Sequence, residues 1–279
     1  MIFINPKTDF AFKKIFGSGQ SHGILISFLN GILYEGQSII KDLTILDPYL
    51  SPRIRGVKDT YLDVRAILQS GETVIIEMQV LNVEGFEKRV LYNAAKAYSI
   101  QLDKGEQYTE LSPVIALTIT NFEMFPEIDR PISRFVLKEK ECLIDYLSGD
   151  LQLVFLELPK FQVPLDELKS LTDKWIYFMK HAPDLSLVPQ VMANITEIQQ
   201  AFDIANRATL TREELDELEH QSFFIQDQQG AIVKALKQGI EQGNKQTKIE
   251  IARRLIGVMD DRIISEMTDL TIDEIADLK

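Results

Sequence analysis

The chain contains the stretch Thr60-Tyr-Leu-Asp-Val-Arg-Ala-Ile-Leu68 and, after Gln69-Ser-Gly-Glu72, the stretch Thr73-Val-Ile-Ile-Glu-Met-Gln-Val-Leu81. Both stretches alternate polar with apolar residues, which is typical of β-strands that have one buried face. Folding them back about a centre near Ser70 predicts an antiparallel hairpin in which Asp63 lies opposite Glu77. Gln79, two residues beyond Glu77, then points to the same side of the hairpin.

Side chains directly opposite each other in an antiparallel pair lie about 5 Å apart. Two carboxylates and an amide oxygen on one face offer the hard oxygen ligands that Mg²⁺ or Mn²⁺ prefers. The hairpin therefore predicts a metal site at Asp63 and Glu77 and suggests metal-assisted phosphodiester cleavage. An Asp and a Glu on neighbouring strands are usually solvated surface residues, so on the hairpin alone that interpretation stays open beside the metal site.

Composition places the chain among soluble globular proteins. It has 279 residues, of which 45% are hydrophobic and 26% are charged, and a net charge of −12. No apolar run approaches the roughly 20 residues needed to cross a bilayer, so we expect no membrane partner. The single cysteine, Cys142, excludes an internal disulfide and a cysteine-based zinc site, which fits a cytoplasmic location. The negative charge argues against a protein that coats nucleic acid, although local patches still permit a nuclease.

Hydrophobic periodicity predicts a mixed α/β (α+β) fold. Outside the hairpin, helices are expected over residues 9–16, 24–33 and 84–104, the last capped by Gly105, and strands over 42–47, 113–120, 134–138 and 152–158, the last two as edge strands. This order indicates a central mixed sheet flanked by helices.

The character of the chain changes after Pro159. Helices are expected over residues 165–181, 189–207, 211–224 and 226–255, followed by two short helices within 260–278. We therefore expect a first domain over residues 1–160, a helical region over 161–225, and a polar helix with a helical hairpin over 226–279. The apolar residues expected to close that hairpin are Ile263, Ile264, Met267, Leu270, Ile275 and Leu278, and its acidic last helix favours packing or self-association over DNA reading.

Two pairs of charged residues are secondary candidates for the site. Asp9 and Lys13 lie four residues apart on the first predicted helix, where they form either part of the site or a simple ion pair. Arg89 and Lys96 lie on a polar stripe of the helix after the hairpin and either contact a phosphate or form a solvated face.

Several separate motifs together resemble one family, the PD-(D/E)XK nuclease family transposases, also called recombination-promoting nucleases of bacteria. The resemblance covers roughly residues 1–160. It is carried by Asn5-Pro-Lys-Thr-Asp-Phe-Ala-Phe-Lys-Lys-Ile-Phe-Gly17, Leu25-Ile-Ser-Phe-Leu-Asn30, Lys58-Asp-Thr-Tyr-Leu-Asp-Val-Arg65, Ile75-Ile-Glu-Met-Gln-Val80 and Arg89-Val-Leu-Tyr-Asn-Ala-Ala-Lys96.

The resemblance implies a restriction-endonuclease-like fold and a Mg²⁺-dependent DNA endonuclease linked to recombination or DNA mobility, with Mn²⁺ as a possible substitute. It assigns the first metal-binding acid to Asp63 and the Glu-X-Lys element to Glu77 and Gln79. Gln79 stands where the wider superfamily usually has lysine, as is usual in this family, and a neutral amide positions water or ligates a metal weakly.

Two other functions remain open on the sequence. One is a catalytically weak or inactive nuclease-fold module that acts in interaction or defence, in which the two acids are salt-bridged and do not bind metal. The other is a structural helical-repeat protein, which the predicted strands disfavour. A homodimer is possible, because cutting both DNA strands needs two sites and the polar helix near the end can supply an interface.

Overall fold

The computed structural model describes residues 2–50, 60–103, 105–146 and 149–279. They form two compact units, one ending at Ser222 and the other spanning Phe223–Lys279. The loop expected over residues 48–56 and the start of the Lys58–Arg65 motif lie partly outside the described residues. The expected domain boundary at residue 160 stays a prediction.

Among the described residues, six strands of the first unit form one mixed sheet, as the sequence predicts. β5 (Thr73–Gln79), β6 (Val114–Thr120) and β8 (Leu151–Glu157) run parallel, and the other neighbouring pairs in this sheet are antiparallel. The order in the sheet is β1 (Leu43–Leu46), β4 (Val64–Leu68), β5 (Thr73–Gln79), β6 (Val114–Thr120), β8 (Leu151–Glu157) and β7 (Ile132–Val136).

The first stretch of the hairpin is not one continuous strand, contrary to the prediction. Residues Thr60–Tyr61 form a separate strand, β3, which pairs with β2 (Tyr49–Leu50) in a small second sheet. The backbone then bends at Asp63 before β4 begins. The bend occurs because the start of the stretch is paired with β2 instead of β5, and it places Asp63 at the end of the ladder.

β5 is buried on both faces, whereas the alternating pattern predicted one buried face. Val74 and Ile76 point into the main core, and Ile75 belongs to a second apolar cluster under the helix that follows the hairpin. β6 is buried throughout, as its apolar sequence predicts. β8 lies between β6 and β7, so its assignment as an edge strand is wrong, while β7 is an edge as predicted.

The helices of the first unit cover both faces of the sheet. Their bounds are α1 Asp9–Phe16, α2 His22–Leu33, α3 Phe86–Ser99, α4 Leu171–His181, α5 Gln190–Ala193 and α6 Thr196–Ala205, with α7 (Arg212–Leu255) continuing into the second unit. α3 ends at Ser99, so the expected extension to residue 104 and its cap at Gly105 are wrong. The helix expected over 189–207 is divided at Asn194 and Ile195.

α7 is one helix, whereas the sequence predicted two that meet near residue 225. The pattern Thr211-Arg-Glu-Glu214 predicts a capping box at its amino terminus, and the structure confirms it: the Glu214 backbone N–H donates to Thr211 Oγ1, and the Thr211 backbone N–H donates to Glu214 Oε2. No described helix is both long enough and apolar enough to span a membrane.

Aromatic side chains join the helices of the first unit. Trp175 is fully buried on α4 and contacts Phe16, Phe28 and Phe178 at ring-centroid distances of 5.9, 5.6 and 5.7 Å. Trp175 is therefore a core residue of the first unit. The helices after Pro159 therefore share a core with those that precede the hairpin.

The second unit has its own small core. α8 (Asp261–Thr268) and α9 (Ile272–Ala276) pack against the end of α7 through Ala252, Ile264, Leu270 and Ile275. This confirms the predicted pair of short helices. Ile263 and Met267 are 48% and 61% exposed, so their predicted place in this core is wrong. They lie on the other face of α8, because a helix of two turns can bury only one side.

Candidate active site

The hairpin has the register that the sequence predicts. Val64 pairs with Ile76, the residue before Glu77, and the Asp63 backbone N–H donates to the Ile76 carbonyl at 3.2 Å, so Asp63 lies at the end of the ladder beside β5. Gly71 turns the chain with a φ of 101°, a conformation that glycine adopts without the penalty a Cβ atom imposes. The turn therefore sets which acidic side chains face each other.

Asp63 is held in a buried and acidic environment. Its side chain is 14% exposed, and its Oδ2 accepts a hydrogen bond of 2.6 Å from the Met78 backbone N–H. Burial raises the pKa of Asp63 to about 8, against 3.8 for an unperturbed group; the Met78 backbone N–H and Lys13 act to lower this pKa, and the neighbouring Asp9 carboxyl acts to raise it. The site thus favours a neutral Asp63 in the absence of another cation.

Asp9 and Lys13 meet Asp63 from the first turns of α1. Thr8 caps this helix by accepting from the Ala11 backbone N–H, which fixes the position of Asp9 at its start. Lys13 Nζ lies 2.7 Å from Asp9 Oδ1 and 3.8 Å from Asp63 Oδ1. The predicted ion pair is present, and it lies directly beside the candidate site.

Arg89 links the other two candidate residues. Its Nη2 lies 2.6 Å from Glu77 Oε1 and 2.6 Å from Gln79 Oε1, and its guanidinium sits 5.0 Å from the Phe86 ring centroid. Asn93 Nδ2 donates to Glu77 Oε2 at 3.2 Å. Because Gln79 Nε2 donates to the Leu81 carbonyl at 2.6 Å, the amide oxygen of Gln79 is turned towards Arg89.

Lys96 does not share this environment. It is 7% exposed, so the expectation that it lies on a solvated face is wrong, and it is not among the residues that line the cavity next to Arg89. It lies two helical turns beyond Arg89, on a part of α3 that is packed against the sheet. Phosphate contact by Lys96 stays a prediction.

The candidate residues open onto one cavity of 840 Å³. Sequence reasoning missed Tyr61, Lys88 and Tyr92 in its lining. Tyr92 lies three residues after Arg89, so helical periodicity alone placed it on the same face, whereas the position of Tyr61 depends on the separate β2–β3 pair. The site residues that line this cavity are Asp9, Asp63, Glu77, Gln79, Arg89 and Asn93.

The residues present fit a divalent cation in chemistry. Asp63, Glu77 and Gln79 supply hard oxygen atoms, and the raised pKa of Asp63 marks a place where cationic charge is lacking. Within the described part of the chain, no three acidic, histidine or cysteine side chains form a complete metal cluster. The two side-chain oxygens of Glu77 bond to Arg89 and Asn93.

The model of the PD-(D/E)XK nuclease family transposases matches residues 6–235, and neither a curated protein nor a solved structure is matched by the chain. The mixed sheet flanked by helices, with a helical carboxyl-terminal region, is consistent with the predicted restriction-endonuclease-like fold. PD-(D/E)XK nucleases generally use divalent metal ions. The chain belongs to the PD-(D/E)XK nuclease family transposases.

Proposed function

We propose that this protein is a Mg²⁺-dependent DNA endonuclease that acts in recombination or DNA mobility. One observation carries the proposal. Asp63 and Glu77 come from the two arms of one hairpin and line the same open cavity, and Asp63 is a buried acid whose pKa is raised to about 8. A buried acid next to a second acid is stabilised by binding either a proton or a metal cation.

Asp63 and Glu77 would hold the cation, with Mn²⁺ as a substitute for Mg²⁺, and Asp9 would add a third oxygen ligand from α1. When bound, the cation supplies Lewis-acid activation of water and neutralises charge on the phosphate. Asp63 loses its proton on binding, because only the carboxylate form is a ligand. Lys13 then balances the charge of Asp9 and Asp63 from the α1 side.

Glu77 has a different task, because Arg89 already neutralises it. The guanidinium has to move away from Glu77 before both oxygens can act as ligands. Arg89 then contacts the DNA phosphate, for which its planar group with several N–H donors is well suited. Gln79 positions the attacking water with an amide oxygen that Leu81 keeps in a fixed orientation.

DNA binding by a chain with a net charge of −12 has to rely on local positive groups. Arg89 and Lys88 lie in the lining of the cavity, and Tyr61 is 71% exposed beside it. An exposed aromatic ring next to cationic groups suits stacking on a base or sugar of the bound strand. Lys88 and Tyr61 therefore extend the proposed DNA contact beyond the hairpin.

Nicking of supercoiled plasmid tests the proposal. The wild-type protein should nick the plasmid in Mg²⁺ or Mn²⁺ and not in EDTA. Asp63→Ala and Glu77→Ala should each abolish nicking. The matched control is Glu72→Ala, which removes an acid from the turn of the same hairpin, outside the cavity, and should retain activity. Nicking that survives either site substitution rejects the proposed site.

A second candidate function is an inactive nuclease-fold module that acts through binding. The ion pair between Glu77 and Arg89, 2.6 Å long, and the absence of a three-ligand cluster among the described residues favour it. Calorimetric titration with Mn²⁺ distinguishes the two functions. Binding that is lost in Asp63→Ala supports the nuclease, whereas no binding, together with no nicking, supports the module.

A further inference from the structure

The middle of α7 exposes an apolar stripe. Ile232, Val233, Leu236 and Ile240 are 47%, 51%, 62% and 55% exposed, and Ile225 precedes them on the same face at helical spacing. All five belong to the second unit. We call these five residues the α7 stripe.

An exposed apolar stripe is not expected on a helix that stands alone in water, because most helical stability comes from packing of the apolar face. The same segment contains Gly230, Gly239 and Gly243, which lower its intrinsic helix stability further. A Cβ atom added at any of these glycines would find no neighbouring atom within 4 Å. Among the described residues, the apolar face of this segment therefore has no packing partner.

The spacing of the α7 stripe is nearly the same when it is read in either direction. A two-fold axis between Ile232 and Val233 exchanges these two residues and places Ile225 opposite Ile240 of a second copy. Leu236 then lies over Gln229, the one polar position on this face. Such self-complementarity is what a two-fold interface between identical chains requires.

Charge favours an antiparallel arrangement of the two copies. Acidic residues outnumber basic ones in α7 before Gly230, and basic residues outnumber acidic ones after it. Parallel helices would set acidic segments side by side, whereas antiparallel helices set acidic against basic. The groups concerned are Glu213, Asp216, Glu217 and Asp227 in the first part, and Lys234, Lys237, Arg253 and Arg254 in the second.

We propose that two copies of this chain associate through the α7 stripe as an antiparallel coiled coil whose two-fold axis passes between Ile232 and Val233. The interface buries the exposed side chains that the structure leaves unpartnered, in the manner of apolar seams in coiled coils. The α7 stripe itself lies in the second unit, and the inference stands or falls separately from nuclease activity.

Sedimentation equilibrium of the full chain tests the association. We expect a dimer that Leu236→Asp weakens by at least about tenfold, because a carboxylate would be buried without a partner. Gln238→Asp introduces the same group two residues away, on the opposite face of the helix, and should leave the dimer intact. A wild-type chain that stays monomeric, or equal effects of the two substitutions, overturns the proposal.

Cysteine cross-linking in a Cys142→Ser background tests the orientation, and it also covers the case in which Leu236→Asp unfolds the helix. Val233→Cys lies next to the axis and should cross-link to itself under mild oxidation. Ile240→Cys chains alone should not cross-link to one another. A mixture of Ile225→Cys and Ile240→Cys chains should form a cross-link between the two kinds of chain. Self-cross-linking of Ile240→Cys would show parallel helices and overturn the proposal.

Discussion

Asp63 is a buried carboxyl group that a proton or a metal cation can neutralise. Its pKa in the fold is about 8, while the unfolded chain ionises it near 3.8. Between pH 3.8 and about pH 8, the folded protein therefore keeps a proton on Asp63 that the unfolded chain has lost. The stabilisation that comes from this proton is complete below pH 3.8 and is lost as the pH rises towards 8. The free energy of unfolding falls by at most about 1.4 kcal/mol for each pH unit in this range.

Asp63→Asn should therefore make the metal-free protein more stable than the wild type at pH 9, with a smaller difference at pH 5. The amide is neutral at both values, so it avoids the cost of a buried charge. Urea unfolding in EDTA measures the difference, with the exposed Asp129→Asn as the control. Equal dependence on pH in the wild type and in Asp63→Asn would contradict the raised pKa.

Arg89 competes with any cation for Glu77 and holds Gln79 at the same time. Arg89→Ala should raise the affinity for Mn²⁺ and lower the rate of plasmid nicking, because it frees a ligand and removes a phosphate contact. Calorimetry and nicking assays measure the two effects. Lys88→Ala, which removes a charge in the same helical turn, should leave Mn²⁺ affinity almost unchanged. A fall in Mn²⁺ affinity in Arg89→Ala would show that the guanidinium supports the metal site.

At the scale of elements, the hairpin turn controls the site, since a shift of one residue moves every side chain to the other face. Gly71 holds a φ of 101°, and an added Cβ would meet Ser112 Oγ at an ordinary 3.6 Å. Gly71→Ala should therefore cost about 1 kcal/mol through backbone strain alone. Chemical denaturation measures this loss of stability. The control is Gly19→Ala, because φ at Gly19 is not positive and an added Cβ atom would meet no other atom within 4 Å. A neutral Gly71→Ala would mean that another contact sets the register.

Most elements of the first unit follow from local pattern. α1, with Phe12 and Phe16 buried on one face, and the uniformly apolar β6 are where periodicity places them. The pattern failed at β3, where long-range pairing with β2 overrides the local alternation. It also failed at α7, where a break was expected near residue 225 and the helix continues.

At the scale of the whole molecule, Trp175 joins the helices after Pro159 to the helices before the hairpin. Trp175→Ala should destabilise the first unit by about 3–5 kcal/mol, the usual cost of removing a large buried aromatic side chain. Far-UV circular dichroism during urea unfolding measures this loss, with the exposed Tyr108→Ala as control. A small loss confined to a separate transition would show that the later helices unfold independently of the sheet.

The sequence by itself determined the hairpin register and the mixed sheet flanked by helices, because alternation, turn residues and apolar runs are local properties. Only the tertiary structure decided that Asp9 raises the pKa of Asp63, that Arg89 bonds to the side chains of Glu77 and Gln79, and that Lys96 is buried. These contacts join α1 and α3 to the hairpin. Their geometry depends on how the helices pack, which no single segment encodes.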